Sequence, residues 1–567
     1  MVGNGKGGFL SALQLVLASA FALLLFWFGS ALASTYVVYI PLDSTIYNEL
    51  DELNGLGYLD TYMDEIRPIA RVEAARLTLE AAQNLGESGK QDALASTLIN
   101  TLRLQLKEEI GWLENNAEDN QPTMIHPLER AEVQYVYSAG PRRYWETGPD
   151  ALLPVGPTGI NAKEGTPLWP NNDGLPTGAG SNEVVRASGW AGFDGFLTGY
   201  AEGATSGPFT RSLAGQNRLN LLDGEIVASL GNFALSFGQE EAWWSVGHFG
   251  SLALSDNSPP LTALRLQNIH PTYLPWILRY LGPFRFQFFF GQLSYQPDPY
   301  VSAPWFDGEI FSFKPLPYFE FGFFHQIDFG GRFNNDYSTA GFLARAFGIP
   351  GVHPAGANSH SRAGLWVKFY LPWLRNAELY QGTLAEDKLL GFLPFVRVSY
   401  QGGVYVPRLT EDGLTDLRFE YAIMEPAYSV YSSGLSPVYQ DMLTGYPLGP
   451  NASEIDFQIG RWINLLYKTD VDFFWTTQAP GYTKHLFYPL EFYPFGITDE
   501  YSGGVAFDVW RLAQQISFLG GTLGTMRIRA AFEYARNLNY APGTTSLRGL
   551  LVVSGSFRPM YDSFAWQ

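Results

Sequence analysis

Apolar and polar side chains alternate one by one through most of the second half of this chain. In Thr525–Arg536, the residues Met526, Ile528, Ala530, Phe532 and Tyr534 fall on one side of a strand, and Arg527, Arg529, Ala531, Glu533 and Ala535 on the other. Side chains alternate faces along a strand, so one face is apolar and the other carries charge. The pattern recurs at Phe233–Gly238, Phe284–Phe288, Phe319–Phe323, Leu417–Ile423, Ile455–Gly460 and Asp470–Trp475. A soluble sandwich buries such an apolar face against a second sheet, whereas a membrane barrel turns it to lipid and its polar face to a lumen. Sixteen to eighteen such segments are countable, and bacterial barrels favour even numbers. The predicted fold is an all-β transmembrane barrel of about 18 antiparallel strands, with a small α-helical bundle before it.

The N-terminal part, up to residue 127, reads differently. Phe9–Phe28 is apolar, Lys6 precedes it, and Ala31-Leu32-Ala33 offers small residues for cleavage. This predicts an export signal over residues 1–33, removed after Ala33. Helical spacing then runs from about Pro41 to Ala117, and residues 34–127 are expected to form the bundle. Asp43 or Ser44 caps a first helix that stops at Gly55 and Gly57. A second starts near Pro68 and breaks at Gly86 and Gly89, and a third runs from Leu94 to about Leu113. Three amphipathic helices suggest a periplasmic bundle or a plug. Residues 128–567 are expected to form the barrel. Its long extracellular loops are Pro149–Asn182, Asn334–Ser361, Ser432–Ala452 and Gln478–Tyr501, with tight turns opposite, as at Gly231-Asn232. At the C-terminus either Phe557 closes the barrel with an overhang, or the last strand lies nearer Trp566.

Composition narrows the function. Aromatic residues are 16% of the 567, and charged residues only 16%, against about 25% in an average protein. Barrels use aromatic side chains in girdles at the two membrane interfaces. There is no Cys, which excludes disulfides, thiolate metal sites and covalent haem attachment. A net charge of −19 argues against nucleic acid as a partner.

A search for catalytic chemistry returns little. His126, His248, His270, His325, His353, His360 and His485 show no metal-ligand spacing. There is no nucleophile elbow and no phosphate-binding loop. Carboxylate pairs such as Glu240-Glu241 and Glu411-Asp412 read as solvated faces or divalent-ion contacts with lipopolysaccharide. The expectation is therefore a non-enzyme without cofactor or metal. Trp243-Trp244 stands out, following Ser236-Phe237-Gly238-Gln239 at a strand end. Rings at a barrel rim suit the apolar faces of sugars, and an aromatic girdle pair touching headgroups is the plainer alternative.

These residues carry a family resemblance. Ser236-Phe237-Gly238-Gln239, Trp243-Trp244, Gly247 and Gly250-Ser251-Leu252 resemble the capsule-assembly Wzi family of outer-membrane proteins. So do Pro260-Leu261-Thr262, Trp276, Arg279-Tyr280-Leu281-Gly282-Pro283-Phe284, Phe286-Gln287 and Gly445-Tyr446-Pro447-Leu448-Gly449. The resemblance implies a barrel of about eighteen strands with a periplasmic helical bundle, acting as a surface lectin that tethers capsular polysaccharide. Its location would be the Gram-negative outer membrane. Its partners would be surface polysaccharide, outer-membrane lipid and lipopolysaccharide, and the barrel-assembly machinery during biogenesis. Candidate polysaccharide contacts are Gln239, Trp243, Trp244 and Arg265. The alternative is a porin-like channel, or a barrel sheathing another exported protein such as a cytochrome, with Arg527, Arg529 and Glu533 lining the lumen.

Overall fold

The computed structural model describes residues 34–115, 121–146, 161–206, 219–293, 303–331, 359–386, 398–425, 438–478, 499–516, 522–559 and 564–566. The expected export signal over 1–33, His353, His485 and most of the expected loops Asn334–Ser361 and Gln478–Tyr501 lie outside them.

Eighteen strands close on themselves, each hydrogen-bonded antiparallel to its sequence neighbours. They are β1 Thr123–Ala139, β2 Gly180–Phe193, β3 Leu197–Ser206, β4 Leu219–Leu230, β5 Phe233–Glu240, β6 Leu261–Asn268, β7 Pro283–Gln292, β8 Trp305–Leu316 and β9 Phe319–Phe329. They continue with β10 Ser359–Leu371, β11 Ala377–Glu386, β12 Val398–Val406, β13 Thr415–Met424, β14 Ala452–Ile463, β15 Tyr467–Gln478, β16 Glu500–Ile516, β17 Thr522–Arg536 and β18 Thr545–Arg558. Closure comes from β1, which pairs with β2 on one side and β18 on the other. Both C-terminal expectations hold parts of the answer. β18 closes the barrel through Phe557, and after a break Phe564–Trp566 resumes the pairing against Thr123–Ile125.

The barrel inverts the usual burial rule. Outward residues such as Phe237, Ile226, Phe193 and Trp475 are exposed, while inward Glu320, Arg362, Arg548 and Gln287 are buried. A sheet folds this way only when its outer face meets lipid, and closing the ladder removes the open edges that lipid cannot satisfy. No described helix is long and apolar enough to cross a membrane.

The first strand starts at Thr123, before the change of texture near Leu128. Its pairing with β2 slips between His126 and Arg130. Pro127 sits in that slip, and without an N–H it cannot continue the ladder, so the early part of the strand reads as irregular in sequence.

Among the described residues four helices precede the barrel, one more than the spacing predicts: α1 Thr45–Gly55, α2 Arg71–Ser88, α3 Ala93–Gln105 and α4 Lys107–Glu114. Ser44 caps α1 through Ile46 N–H at 3.3 Å, and Asp92 caps α3 through Ala95 N–H at 3.0 Å. Gly89 ends α2 at φ 64°, a conformation open to glycine. The third expected helix is split because Leu106 leaves helical geometry at φ −116°, ψ 25°. The bundle is not a free stalk. Leu50, Leu53, Leu98 and Leu102 form one core with Trp462, Trp510 and Leu512 of the barrel. It stops the barrel at the end of the tight turns. Two expected loops are also more ordered than their composition suggests. Asn161–Lys163 pairs with Tyr144–Glu146, and Val438–Tyr439 with Met442–Leu443.

Candidate functional site

Two segments enter the barrel from opposite ends and meet inside it. From the helical end comes the link between α1 and α2, whose Ile66 and Arg67 pair antiparallel with Trp244 and Trp243. From the long-loop end comes the β5–β6 connection, residues 241–260. Ser245 N–H donates to Glu65 O at 3.1 Å, and Trp244 N–H to Leu254 O at 3.0 Å.

The polar inner wall holds both segments by satisfying their backbone groups, as buried backbone requires. Arg285 Nη1 donates to Met63 O at 2.8 Å and Ile66 O at 3.0 Å, and Lys314 Nζ donates to Tyr62 O at 3.0 Å. On the other side, His248 and Phe249 N–H donate to the Glu420 carboxylate at 2.7 and 3.3 Å. Gln401 Nε2 donates to Gly250 O at 2.6 Å. Gly250 is required here: a Cβ would lie 2.6 Å from the Tyr446 ring.

The tryptophan pair is therefore not at a rim, which corrects the expectation of exposed rings. Trp244 is 1% exposed, its indole Nε1 donates to Gln287 Oε1 at 2.6 Å, and its ring packs on Phe289. Trp243 is 9% exposed and lines an interior cavity. The other two candidates do not converge on them. Gln239 pairs across from Thr262 on the outward face, while Arg265 is buried inside, bound to Glu240 carboxylate at 3.1 Å and Glu240 O at 2.7 Å. Glu240 and Glu241 are likewise buried rather than solvated. Glu241 accepts Leu42 N–H at 2.6 Å. Nothing local in the sequence marks this inward fold, because its partners lie on distant strands.

Arg527 and Arg529 face the interior and bracket Asp508, with Arg527 Nε at 3.0 Å from it. Glu533 is held by Ser502 Oγ at 2.7 Å, Arg548 at 2.9 Å and Arg143 at 3.3 Å.

The cavity has a volume of about 460 Å³ and lies between the segment 38–52, the inward-folded residues 164–173 and the wall from β14 to β17. Sequence reasoning missed most of its lining. Trp169, Trp243 and Phe474 present rings, and Glu454, Asp456, Asp472 and Arg529 present charge. Asp456 Oδ2 and Asp472 Oδ1 are buried oxygens that accept no hydrogen bond among the described residues. Rings beside carboxyl and guanidinium groups suit a ligand with apolar faces and many hydroxyl groups.

Among the described residues, one carboxylate trio has metal-like spacing, Asp64, Glu65 and Glu320, within 4.8 Å of one another. It contains no His. Lys314 lies 2.6 Å from Glu320, and Lys368 bridges Asp64 and Glu65, the latter at 3.2 Å. These lysines supply the countercharge, so the trio acts as an anchor between bundle and barrel.

Comparison with known proteins agrees with this architecture. The family model for capsule assembly protein Wzi matches residues 154–473. A relative from Klebsiella pneumoniae, an uncharacterized 55.8 kDa protein of the cps region, is 24% identical over 333 residues. The match covers 56% of this chain and 64% of that relative, so it falls short of two thirds of its length. Among solved structures, Escherichia coli Wzi superposes with a TM-score of 0.60 at 15% identity, covering 93% of this chain and 99% of the other. It is described as an outer membrane protein involved in group 1 capsule assembly and a carbohydrate-binding β-barrel. OccD3 of Pseudomonas aeruginosa aligns more loosely, with a TM-score of 0.42, 10% identity, and coverage of 77% and 92%.

Proposed function

Because this chain belongs to the Wzi family of capsule assembly proteins, we propose that it is an outer-membrane barrel that binds exported polysaccharide and tethers it at the cell surface. In this reading residues 1–33 direct export, the helical bundle faces the periplasm and the long loops face outward. The protein acts by binding, not by catalysis.

The observation that carries the reading is the meeting of Ile66 and Trp244 inside the barrel. A diffusion channel needs a continuous aqueous lumen, and here the chain's own segments cross it. The same filling argues against a sheath, since a cavity of about 460 Å³ does not admit a folded partner protein.

The cavity is the proposed glycan site. Trp169 and Trp243 would stack on sugar faces, and the Asp456 and Asp472 carboxyl groups that line the cavity would hydrogen-bond sugar hydroxyls. Trp244, Arg265 and Glu240 would hold the surrounding fold without touching the ligand.

Single-channel recording of the refolded protein, paired with pull-down of the organism's purified surface polysaccharide, tests this reading. A silent barrel that retains polysaccharide, with retention falling about tenfold in Trp169→Ala/Trp243→Ala, is the expected result. Steady large currents would return the protein to the porin reading. Retention unchanged by the double substitution would move the glycan site elsewhere.

A further inference from the structure

The longest connection at the helical end of the barrel runs from 269 to 282, between β6 and β7. It carries a 3-10 turn, Trp276–Leu281. Trp276, Ile277 and Tyr280 are 78%, 78% and 77% exposed. The flanking Leu274 and Leu281 pack on Phe284, Phe286 and Phe313.

That contact fixes which side of the wall the turn occupies. In β7, Arg285 and Gln287 point inward, to Met63 O and the Trp244 indole. Phe284 and Phe286, in alternation with them, belong to the outer face. Outer-face residues elsewhere are exposed, Phe237 at 61%, yet Phe286 is 3% exposed. The turn therefore folds back against the outside of the barrel. Gly282 permits this fold-back at φ 78°, where a Cβ would lie 1.9 Å from Lys314 O. The neighbouring turns continue the band with Trp373 at 80% and Tyr318 at 48% exposure.

We infer that Trp276–Leu281 is an in-plane membrane anchor, embedded in phospholipid at the helical end of the barrel. The apolar band it extends is the one already facing lipid, so acyl chains and headgroups are its occupant. Trp and Tyr rings favour that boundary, and the exposed Arg279 between them reaches headgroup phosphate. This inference rests on the membrane placement of the barrel and not on glycan binding.

The test uses the mature protein refolded into vesicles of phosphatidylethanolamine and phosphatidylglycerol carrying bromine either near the headgroup or near the chain end. The fluorescence of Trp276 is read as the difference between the parent and Trp276→Phe. Headgroup-proximal bromine is expected to quench about half of that difference, and chain-end bromine much less. A difference signal untouched by either lipid, and quenched by iodide from water, would overturn the inference and point to a periplasmic face. In parallel, Ile277→Asn/Tyr280→Asn is expected to insert into vesicles about threefold less efficiently than the parent. Insertion at the parental rate would deny the turn an anchoring role. Neither result depends on polysaccharide, so failure here leaves the glycan reading standing.

Discussion

Lys368 of β10 reaches inward from the barrel wall to the α1–α2 link, and its ammonium lies 3.2 Å from the buried carboxylate of Glu65. One side chain thus couples the wall to the segment that crosses the lumen. Asp64 and Glu378 complete its surroundings. Lys368→Met would leave Glu65 without its countercharge, while Asp64 keeps Arg67 at 3.2 Å. Breaking a buried pair by removing one partner costs about 3–5 kcal/mol. The expected outcome is brief conductance openings and earlier proteolytic release of the helical bundle, with the barrel intact by gel migration. A silent, equally resistant variant would show that the bundle is held by its apolar core alone.

Trp244 packs on Phe289 and donates to Gln287. Trp244→Ala should destabilise the folded protein by about 3–5 kcal/mol, measured as the urea midpoint in detergent. Trp243→Ala, facing the cavity, should cost less while reducing polysaccharide retention. Equal destabilisation by the two would contradict the division between support and contact.

Gly250 lies where a side chain would meet Tyr446. Gly250→Val should cost about 1–3 kcal/mol by overpacking. It should also loosen the 241–260 segment, seen as faster hydrogen exchange at its backbone amides. Gly543, which has no heavy atom within 4 Å of a built Cβ but sits at φ 72°, is a control. Gly543→Ala should leave exchange in 241–260 unchanged.

Glu49 is fully buried in α1 beside Gln105, whose Nε2 donates to it at 2.8 Å. Burial pushes its carboxyl up to about 8. Below the ordinary carboxylate range both folded and unfolded chains hold the proton. Between there and about 8 only the folded chain holds it. Stability should therefore fall by about 1.4 kcal/mol per pH unit through this window and level off above it. Glu49→Gln removes the contribution. The variant should gain stability over the parent as pH rises, read from urea midpoints at a series of pH values. A parallel pair of pH profiles would refute the assignment.

The sequence by itself determined the barrel. Alternation in Thr525–Arg536 is a local property, and a two-residue period assigns faces without knowledge of any neighbour. Phe532 and Tyr534 face out and Glu533 faces in for that reason. A cap at Asp43 or Ser44 and a break at Gly86 and Gly89 were legible for the same reason, since such partners lie within a turn; the structure uses Ser44 and Gly89, and Gly86 stays inside α2. Only the tertiary structure decided what fills the lumen. Trp243-Trp244 reads as a sugar-stacking rim pair or as a girdle pair at the headgroups, and neither reading places it inside the barrel. Its place depends on Ile66, Gln287 and Phe289, which the strand alternation does not connect to it. Burial of a segment that leaves the sheet is set by distant donors and acceptors, and these converge only once the barrel has closed.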